Sequence, residues 1–195
     1  QWQGLPRKGY TALLSKMIEG IPLRLNTSSF SDNDYDVVVS SAPIDESMGL
    51  KFGRLTYRSL RFDYARNEFW EKDDYGTINL PQHQKYIRKC NFKILHKQES
   101  RHNFIQFQEP VAADNGQVPM YPVNTKVSEA IFDKYLKDAC KTKNICPLGR
   151  LGLFKYLDMD KAVETAFDMV TVVENYLTLN HQDRYQKIKS VRESY

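Results

Sequence analysis

The sequence is poor in cysteine and contains no long hydrophobic run. Cys90, Cys140 and Cys146 are odd in number and show no CxxC spacing, which argues against a disulfide framework or a zinc site. The four histidines show no metal-ligand spacing. No apolar run approaches the roughly 18 residues of a membrane span, and no signal peptide is visible. We therefore expect reduced thiols, a cytoplasmic location, no membrane span and no bound metal.

Charge of one sign is not concentrated anywhere in the chain. The 28 Lys and Arg against 24 Asp and Glu give a net charge of +4. Opposite charges are interspersed in segments such as YLKDACKTKN and RFDYARNEFWEKDD. A nucleic-acid-binding surface would gather Lys and Arg on one stripe, so no nucleic-acid partner is expected. The small excess fits an anionic small molecule, or only a solvated surface.

The first third of the sequence predicts one helix and two strands. In GYTALLSKMIEG, residues 9–20, apolar side chains recur with helical spacing and Gly20 serves as the carboxy-terminal cap. IPLRLNT, residues 21–27, alternates as a short strand. YDVVVSSAP, residues 35–43, is a second strand, and Val37 to Val39 suit a parallel strand buried on both faces. The chain begins with Gln1 rather than methionine, which predicts a piece of something longer.

The middle of the sequence predicts antiparallel strands, because its segments are aromatic, β-branched and without a 3.6-residue period. The predicted strand segments are GLKFGRLTYRSLRFDY, GTINLP, KYIRKCNFKILHK and HNFIQFQEP.

The last third predicts two helices around a short strand. Residues 124–144 form an amphipathic helix capped by Asn124 or Thr125, with Val127, Ile131 and Tyr135 on one face. ICPLGRLG gives a strand and a glycine turn. The polar tail from residue 180 frays or continues as a solvated helix. The final helix uses Met159, Val163, Ala166, Phe167, Val170, Val173 and Leu177.

The stretch GRLGLFKYLDMD, which begins at Gly149, has the strand, turn and helix order in which a helix amino terminus meets an anionic or electron-rich ligand. Gly149 and Gly152 allow a ligand to approach the backbone closely. Asp158 or Asp160 can cap the helix, and Arg150 offers a planar set of donors suited to phosphate. An ordinary capped corner with a surface arginine is the alternative.

The same stretch resembles the carboxy-terminal flavin loop of UDP-galactopyranose mutases, which reads G-R-L-G-x-Y-x-Y-L-D-M-D. Four other blocks agree in order and spacing: QGLPRKGYTALLSKM with P-x-x-G-Y-T, SSAPIDESMGLKFGRLTYRSLRF with S-G-P-x-D through G-x-L-x-Y-R-S/T-L, KYIR with P-Y-T-R, and QVPMYPVN with P-Y-Y-P-V/I. The resemblance covers residues 3 to about 178 of the chain.

The resemblance implies a flavoenzyme that interconverts UDP-galactopyranose and UDP-galactofuranose for cell-surface polysaccharide synthesis. Reduced FAD is required, and its N5 forms an adduct with the sugar that lets the ring open and reclose. The implied fold is α/β, or α+β, with a partial FAD-binding Rossmann-like layer and a mixed or antiparallel substrate-binding sheet. Residues 1–45 give a helix and strands of the FAD-fold layer, residues 46–112 the substrate sheet, and residues 113–195 the elements that return to the FAD-fold layer.

Site residues follow from the motifs, substrate-binding ones first. Arg88 matches the arginine that grips the substrate diphosphate, and Tyr121 and Tyr156 match tyrosines that reach phosphate oxygens. Asn79 aligns less securely with an asparagine near the substrate. No catalytic residue is assigned with certainty.

The cofactor-binding residues come from the loop. Arg150 matches the arginine that contacts FAD, and Asp158 with Met159 matches the loop at the flavin end. Gly149 and Gly152 complete this set.

Several family features are absent from the sequence. No GxGxxG occurs among the nine glycines, so the half that holds the FAD pyrophosphate is missing and this chain alone is expected to be inactive and not to retain FAD. YIRKCNFKIL keeps the arginine of T-R-I-x-E-H-K but loses its Glu-His pair. Met120 replaces one tyrosine of the double tyrosine. FQEP replaces a tyrosine-containing strand.

The expected partners are UDP-galactose in either ring form and the missing amino-terminal half of the same protein, with a homodimer left open. A degenerate mutase-like module that binds a sugar nucleotide or a partner glycan enzyme without catalysis is the alternative function.

Overall fold

A computed structural model describes residues 4–27, 35–66, 74–113, 116–142 and 144–195. Residues 1–3 and 28–34 of the first predicted part lie outside the described residues, as do residues 67–73, 114–115 and residue 143 of the predicted helix. The chain divides into two compact units. The first contains residues 1–30 and 63–107, and the second contains residues 31–62 and 108–195.

The described residues form helices, a parallel strand pair and a larger sheet with antiparallel pairs, which confirms the mixed α/β class. The helices are α1 (Gly9–Met17), α2 (Ile44–Ser47), α3 (Phe92–Leu95), α4 (Lys126–Thr142), α5 (Gly149–Gly152), α6 (Met159–Glu174) and α7 (His181–Glu193). The strands are β1 (Val38–Ser40), β2 (Tyr57–Arg66), β3 (Thr77–Asn79), β4 (Arg88–Asn91), β5 (Phe104–Ala112), β6 (Tyr121–Pro122) and β7 (Ile145–Pro147).

In the first unit, α1 confirms the predicted helix, but none of its residues is buried. The helix ends at Met17, so Gly20, with a φ of +82°, lies in the turn after it rather than at its cap. Residues 21–27 are not a strand, and that prediction is wrong. All seven are exposed and pair with no strand among the described residues, and an alternating pattern forms a strand only where a partner and a core receive it.

The predicted antiparallel strands are confirmed for the pairs β3–β4 and β2–β6. The larger sheet has the order β3-β4-β5-β2-β6. Two segments differ. Residues 49–56, the start of the predicted strand GLKFGRLTYRSLRFDY, are turns and irregular chain. The predicted strand of residues 85–97 turns into the single-turn helix α3 after Asn91. The side-chain oxygen of Asn91 accepts a hydrogen bond from the backbone N–H of Ile94, a cap that starts a helix and ends the strand.

In the second unit, β1 and β7 pair in parallel, with Val39 opposite Cys146. The parallel arrangement agrees with the prediction, but burial on both faces was wrong. Val39 is 45% exposed, and the neighbouring residues are half-buried.

The core of the second unit lies against one face of α4. Thr125 caps this helix as predicted, since its hydroxyl oxygen accepts from the N–H of Ser128 at 3.1 Å. Tyr135 is fully buried, but Val127 is exposed, so the predicted face was placed partly wrong. The buried face of α4 consists of Ser128, Phe132, Tyr135, Leu136, Ala139 and Cys140.

Helix α6 buries a different face from the one that the sequence predicted. Thr165, Met169 and Val172 face the core, whereas most of the predicted stripe is exposed, including Val163 and Phe167 at 73%. We call the exposed residues Met159, Val163, Phe167 and Val170 the α6 stripe.

The polar tail is a docked helix, and the prediction of a frayed or solvated end was wrong. Helix α7 buries Tyr185, Ile188 and Arg192 against the second unit. The three cysteines are free thiols and are all buried. In the described ranges, no helix combines the length and the apolar character needed to cross a membrane.

Candidate functional site

A cluster of one arginine and two tyrosines lies beside the start of α6 in the second unit. We call Arg150, Tyr121 and Tyr156 the Arg150 cluster. The two tyrosine rings stack with centroids 5.9 Å apart and an angle of 19° between their planes. The guanidinium carbon of Arg150 lies 5.3 Å from the Tyr121 centroid and 4.7 Å from that of Tyr156. These are cation–π distances, so the cluster holds a positive charge against two aromatic faces.

The guanidinium of Arg150 is also hydrogen-bonded to the backbone. Its Nε and Nη2 donate to the carbonyl oxygen of Leu157 at 2.9 and 2.6 Å, and Nη1 donates to that of Met120 at 3.4 Å. One side chain thus ties α5 to the segment before α6 and to the residue before β6. Arg150 therefore positions both tyrosines of the cluster.

Glycine is required at the two loop positions for different physical reasons. Gly149 has a φ of +72°, a left-handed conformation that side chains other than glycine adopt at a cost. A Cβ on Gly152 would lie 2.7 Å from the carbonyl oxygen of Ser40. The close backbone approach at Gly152 is therefore made by the chain's own strand β1.

The amino terminus of α6 is open to solvent beside the cluster. Asp158 occupies the cap position, but its side chain accepts no hydrogen bond from the first turn. Burial, together with a hydrogen bond to Asp158, raises the pKa of Tyr156 above its usual value. The hydroxyl of Tyr156 is protonated at neutral pH, as in an ordinary tyrosine, and has a single proton to donate. Met159 and Tyr156 are 64% and 52% exposed, so both can contact a ligand.

The backbone between α5 and α6 is held by the core. Phe154 is fully buried although its φ is +46°, a conformation that costs energy for a bulky residue. Its ring packs edge-on against Tyr57, with centroids 5.2 Å apart. Its carbonyl oxygen accepts from Asn124 and Arg192, each at 3.1 Å. The path of the chain into Tyr156 is therefore fixed by internal contacts.

The other two predicted substrate residues form a pair in the first unit. Asn79 and Arg88 lie opposite each other in the β3–β4 ladder. The Nε of Arg88 donates to Oδ1 of Asn79 at 3.1 Å, and both side chains are exposed. The asparagine orients the guanidinium and leaves its remaining N–H groups toward solvent, an arrangement suited to an anion.

Comparison with known proteins gives the family of the chain. The sequence profile of the UDP-galactopyranose mutase family matches residues 1–156. The chain belongs to this family. It is 35% identical over 181 residues to the UDP-galactopyranose mutase of Mycoplasma pneumoniae, an alignment that covers 83% of this chain and 45% of the relative.

Two further relatives are named as mutases of different sugar nucleotides. A probable UDP-galactopyranose mutase of Klebsiella pneumoniae is 31% identical, over 90% of this chain and 48% of the relative. The dTDP-fucopyranose mutase of Escherichia coli is 28% identical, over 86% of this chain and 48% of the relative. The chain spans about half the length of these mutase-family relatives.

Sequence reasoning missed the residues that support the site of this family member. Arg192 lies outside every motif, and Phe154 lies inside GRLGLFKYLDMD at a position to which the motif assigned no role. The roles of both depend on contacts between distant segments. Asn91 and Phe92 stand where the family motif has its Glu-His pair, and the sequence showed only the substitution. In the structure, Asn91 is 1% exposed and caps α3, so the position has a structural use here.

Proposed function

We propose that this chain is the carboxy-terminal part of a UDP-galactopyranose mutase-like isomerase that acts on a nucleoside diphosphate hexose. The observation that carries the proposal is the Arg150 cluster at the open end of the sixteen-residue helix α6, read together with the family membership. A cation, two phenols and a positive helix end are groups that stabilise phosphate oxygens and an electron-rich ring.

We assign substrate binding and flavin binding to different residues. In the first unit, Arg88, oriented by Asn79, would bind a phosphate of the substrate and stabilise charge on the departing nucleotide. In the second unit, the hydroxyls of Tyr121 and Tyr156 would donate to phosphate oxygens. Arg150, Gly149, Asp158 and Met159 would form the carboxy-terminal side of the flavin site, whereas Gly152 is buried against the Ser40 carbonyl of β1 and would support the loop without contacting the flavin.

The residues of this chain fit one edge of a flavin and not the whole cofactor. The uncapped first turn of α6 leaves backbone N–H groups available to a reduced, negatively charged ring. When bound, reduced FAD would supply the nucleophile for the anomeric carbon. The chain's own residues would hold the diphosphate and orient the sugar. We expect the chain alone to lack tight FAD binding, because it has no phosphate-binding glycine motif.

Two exposed apolar surfaces support a longer parent protein. In the first unit, Leu13, Leu14 and Met17 of α1 are exposed. In the second unit, the α6 stripe is exposed as well. Apolar faces of this kind mark interaction surfaces, and we propose that the amino-terminal half of the mutase covers them. On this proposal, residues 1–45 and 113–195 belong to the FAD-fold layer and residues 46–112 to the substrate sheet.

The setting follows from the proposed substrate. Sugar nucleotides for cell-surface polysaccharides are made in the cytoplasm, where we place the protein. A homodimer is compatible with the proposal and is not required by it.

The test is a turnover assay of the longer protein with reduced FAD and UDP-galactofuranose. We expect Tyr121→Phe and Tyr156→Phe to weaken nucleotide-sugar binding by roughly tenfold or more, because each loses a hydrogen bond to a charged group, worth about 1.5–3 kcal/mol. Tyr75→Phe, at a tyrosine that is 71% exposed, is the matched control. Unchanged binding in both site variants would overturn the proposed roles.

The same assay separates the alternatives. Conversion of a dTDP-6-deoxyhexose in preference to the UDP-sugar would place the protein with its Escherichia coli relative. Nucleotide-sugar binding without turnover would support the non-catalytic module, which is favoured by the structural use of Asn91 at the family's Glu position.

A further inference from the structure

Asn124 joins the two segments of the second unit that carry the stacked tyrosines. It follows Tyr121 by three residues and lies between β6 and α4. The cap of α4 is supplied by Thr125, so the Asn124 side chain is not needed there. Its Nδ2 instead donates to the carbonyl oxygen of Phe154 at 3.1 Å, two residues before Tyr156. One side-chain amide thus connects the segment of one phenol with the segment of the other.

The amide of Asn124 is itself held by an ion pair. Its Nδ2 also donates to Oε1 of Glu129, and both oxygens of that carboxylate accept from Nη2 of Arg192, at 2.8 and 2.9 Å. Arg192 in turn donates to the same Phe154 carbonyl oxygen at 3.1 Å. We call Asn124, Glu129, Arg192 and the carbonyl group of Phe154 the Asn124 clamp. Because hydrogen bonds to a charged group are stronger than neutral ones, the ion pair keeps the amide in one orientation.

The chain has little freedom between the clamp and either phenol. Pro122 and Val123 separate it from the phenol of β6. Pro122 has a fixed φ and pairs with β2, and the N–H of Val123 donates to the carbonyl oxygen of Thr56 at 2.9 Å. Lys155 alone separates the clamp from the phenol before α6, and its N–H donates to a carbonyl oxygen of α5 at 3.0 Å. The sheet holds the first phenol, so loss of the clamp would displace the second one.

The relative position of the two phenols matters for a phosphate ligand. Their rings stack with centroids 5.9 Å apart and an angle of 19° between the planes. The oxygens of a phosphate group have fixed separations, so two hydroxyl donors bind them well only at a matching spacing. In enzymes, misplacement of a group by ~1 Å can reduce the rate by about 100-fold. A contact that sets the position of one phenol can therefore change binding without touching the ligand.

We propose that Asn124 is a positioning residue of the nucleotide-sugar site, because its amide, held by Glu129, sets the position of Tyr156 relative to Tyr121. This inference rests on the phosphate-binding roles proposed above for the two tyrosines. Tyr121 is fixed independently in the β2–β6 ladder. The effect of Asn124 on binding therefore passes through the hydroxyl of Tyr156.

The test is a calorimetric titration of UDP into the longer protein used in the turnover assay, with Asn124→Ala alone and in combination with Tyr156→Phe. We expect Asn124→Ala to raise the Kd for UDP about fivefold to tenfold, because the Tyr156 hydroxyl is no longer aligned with a phosphate oxygen. In the Tyr156→Phe background, the same change should raise the Kd by less than about twofold, since the aligned hydroxyl is already gone. A purely structural residue would raise the Kd by the same factor in both backgrounds.

Two controls separate positioning from a general loss of stability. Gln117→Ala removes an exposed amide from the chain before β6 and should leave the Kd unchanged. Tyr176→Phe removes a hydroxyl that donates to a buried carbonyl oxygen of β7 at 2.8 Å. In Asn124→Ala, by contrast, the Phe154 carbonyl keeps the donor from Arg192. Tyr176→Phe should therefore lower the Tm more than Asn124→Ala does and still leave the Kd unchanged.

Glu129→Gln is a second variant, to be used if Asn124→Ala does not fold. It removes the charge that holds the amide, and should raise the Kd about twofold to fivefold when Tyr156 is present. The inference is overturned if both variants leave the Kd unchanged, or if their effects persist in the Tyr156→Phe background. If Tyr156→Phe alone leaves UDP binding unchanged, the proposed phosphate role of Tyr156 fails, and the positioning role fails with it.

Discussion

Arg192 of α7 gives the sharpest test of how the second unit supports the Arg150 cluster. Its Nε donates to the carbonyl oxygen of Leu153 at 2.7 Å, and its Nη2 donates to that of Phe154 and to the carboxylate of Glu129. The guanidinium carbon lies 4.4 Å from the ring centroid of Phe132. Removing this one side chain therefore removes contacts that join α7 to α4 and to the segment that leads into Tyr156.

The expected cost of Arg192→Leu follows from these contacts. Breaking a buried ion pair by removing one partner costs about 3–5 kcal/mol. The Glu129 side chain is 37% exposed, so it recovers part of its hydration when the arginine is lost, and leucine retains some of the packing. We therefore expect the free energy of unfolding to fall by about 3–4 kcal/mol. For a chain of this length, that corresponds to a Tm lower by roughly 6–16 °C.

The assay is urea unfolding at 25 °C followed by far-ultraviolet circular dichroism, with the m value as a check on two-state behaviour. Arg192→Lys keeps the charge but loses the planar set of donors, so its cost should be smaller. Lys187→Leu is the control, because Lys187 is an exposed residue of the same helix and should change stability by less than about 0.5 kcal/mol. A cost below about 1 kcal/mol for Arg192→Leu would refute the reasoning.

Three further predictions concern the core and the loop. Burial raises the pKa of the Cys140 and Cys146 thiols to about 12. Thiols in the unfolded chain ionise above about pH 8.5, so stability should fall as pH rises from about 9 to 12, and a double Cys→Ala variant should show a shallower slope. Gly152→Ala would place a Cβ 2.7 Å from the Ser40 carbonyl oxygen, and urea unfolding should show a loss of roughly 1–3 kcal/mol. Tyr176→Phe removes a hydroxyl that donates to a buried β7 carbonyl at 2.8 Å, and the same assay should show a loss of about 1–3 kcal/mol.

Each of these predictions has a contradicting result. Rapid labelling of both thiols at pH 8 without urea would contradict the effect of burial. If Gly152→Ala left the free energy of unfolding unchanged, β1 would be able to move away from the loop. If Tyr176→Phe left the free energy of unfolding unchanged, the β7 carbonyl would have another hydrogen-bond donor.

The elements that the sequence predicted well are those in which local pattern and tertiary environment agree. Helix α4 has a threonine that caps it and a broad apolar face, and the β-branched run before Pro43 forms β1. The family motifs also led to the residues of the loop, and Tyr121, Tyr156 and Arg150 lie together. Their roles toward substrate and cofactor remain predictions.

The elements that were predicted wrongly depend on what packs against them. The periodicity identified helix α6 but not the face that it buries. Phe167 is more hydrophobic than Thr165, yet Thr165 is the buried residue of the two. Thr165 can be buried because its hydroxyl donates to the carbonyl oxygen of Lys161 within the same helix. The polar tail was predicted to be solvated because charged residues such as Arg192 are usually exposed. In the structure, both the aliphatic part and the guanidinium of Arg192 pack against the rest of the unit.

The left-handed Phe154 has a consequence for how a cofactor would meet this loop. A residue of this size in that conformation stores roughly 1–3 kcal/mol of strain, which the burial of its ring and the two donors on its carbonyl offset. The segment before α6 thus has its final shape before any ligand arrives. Association would require little loss of loop conformational freedom, so the affinity of this half of the site should depend on how well the ligand's charge and outline match a rigid surface.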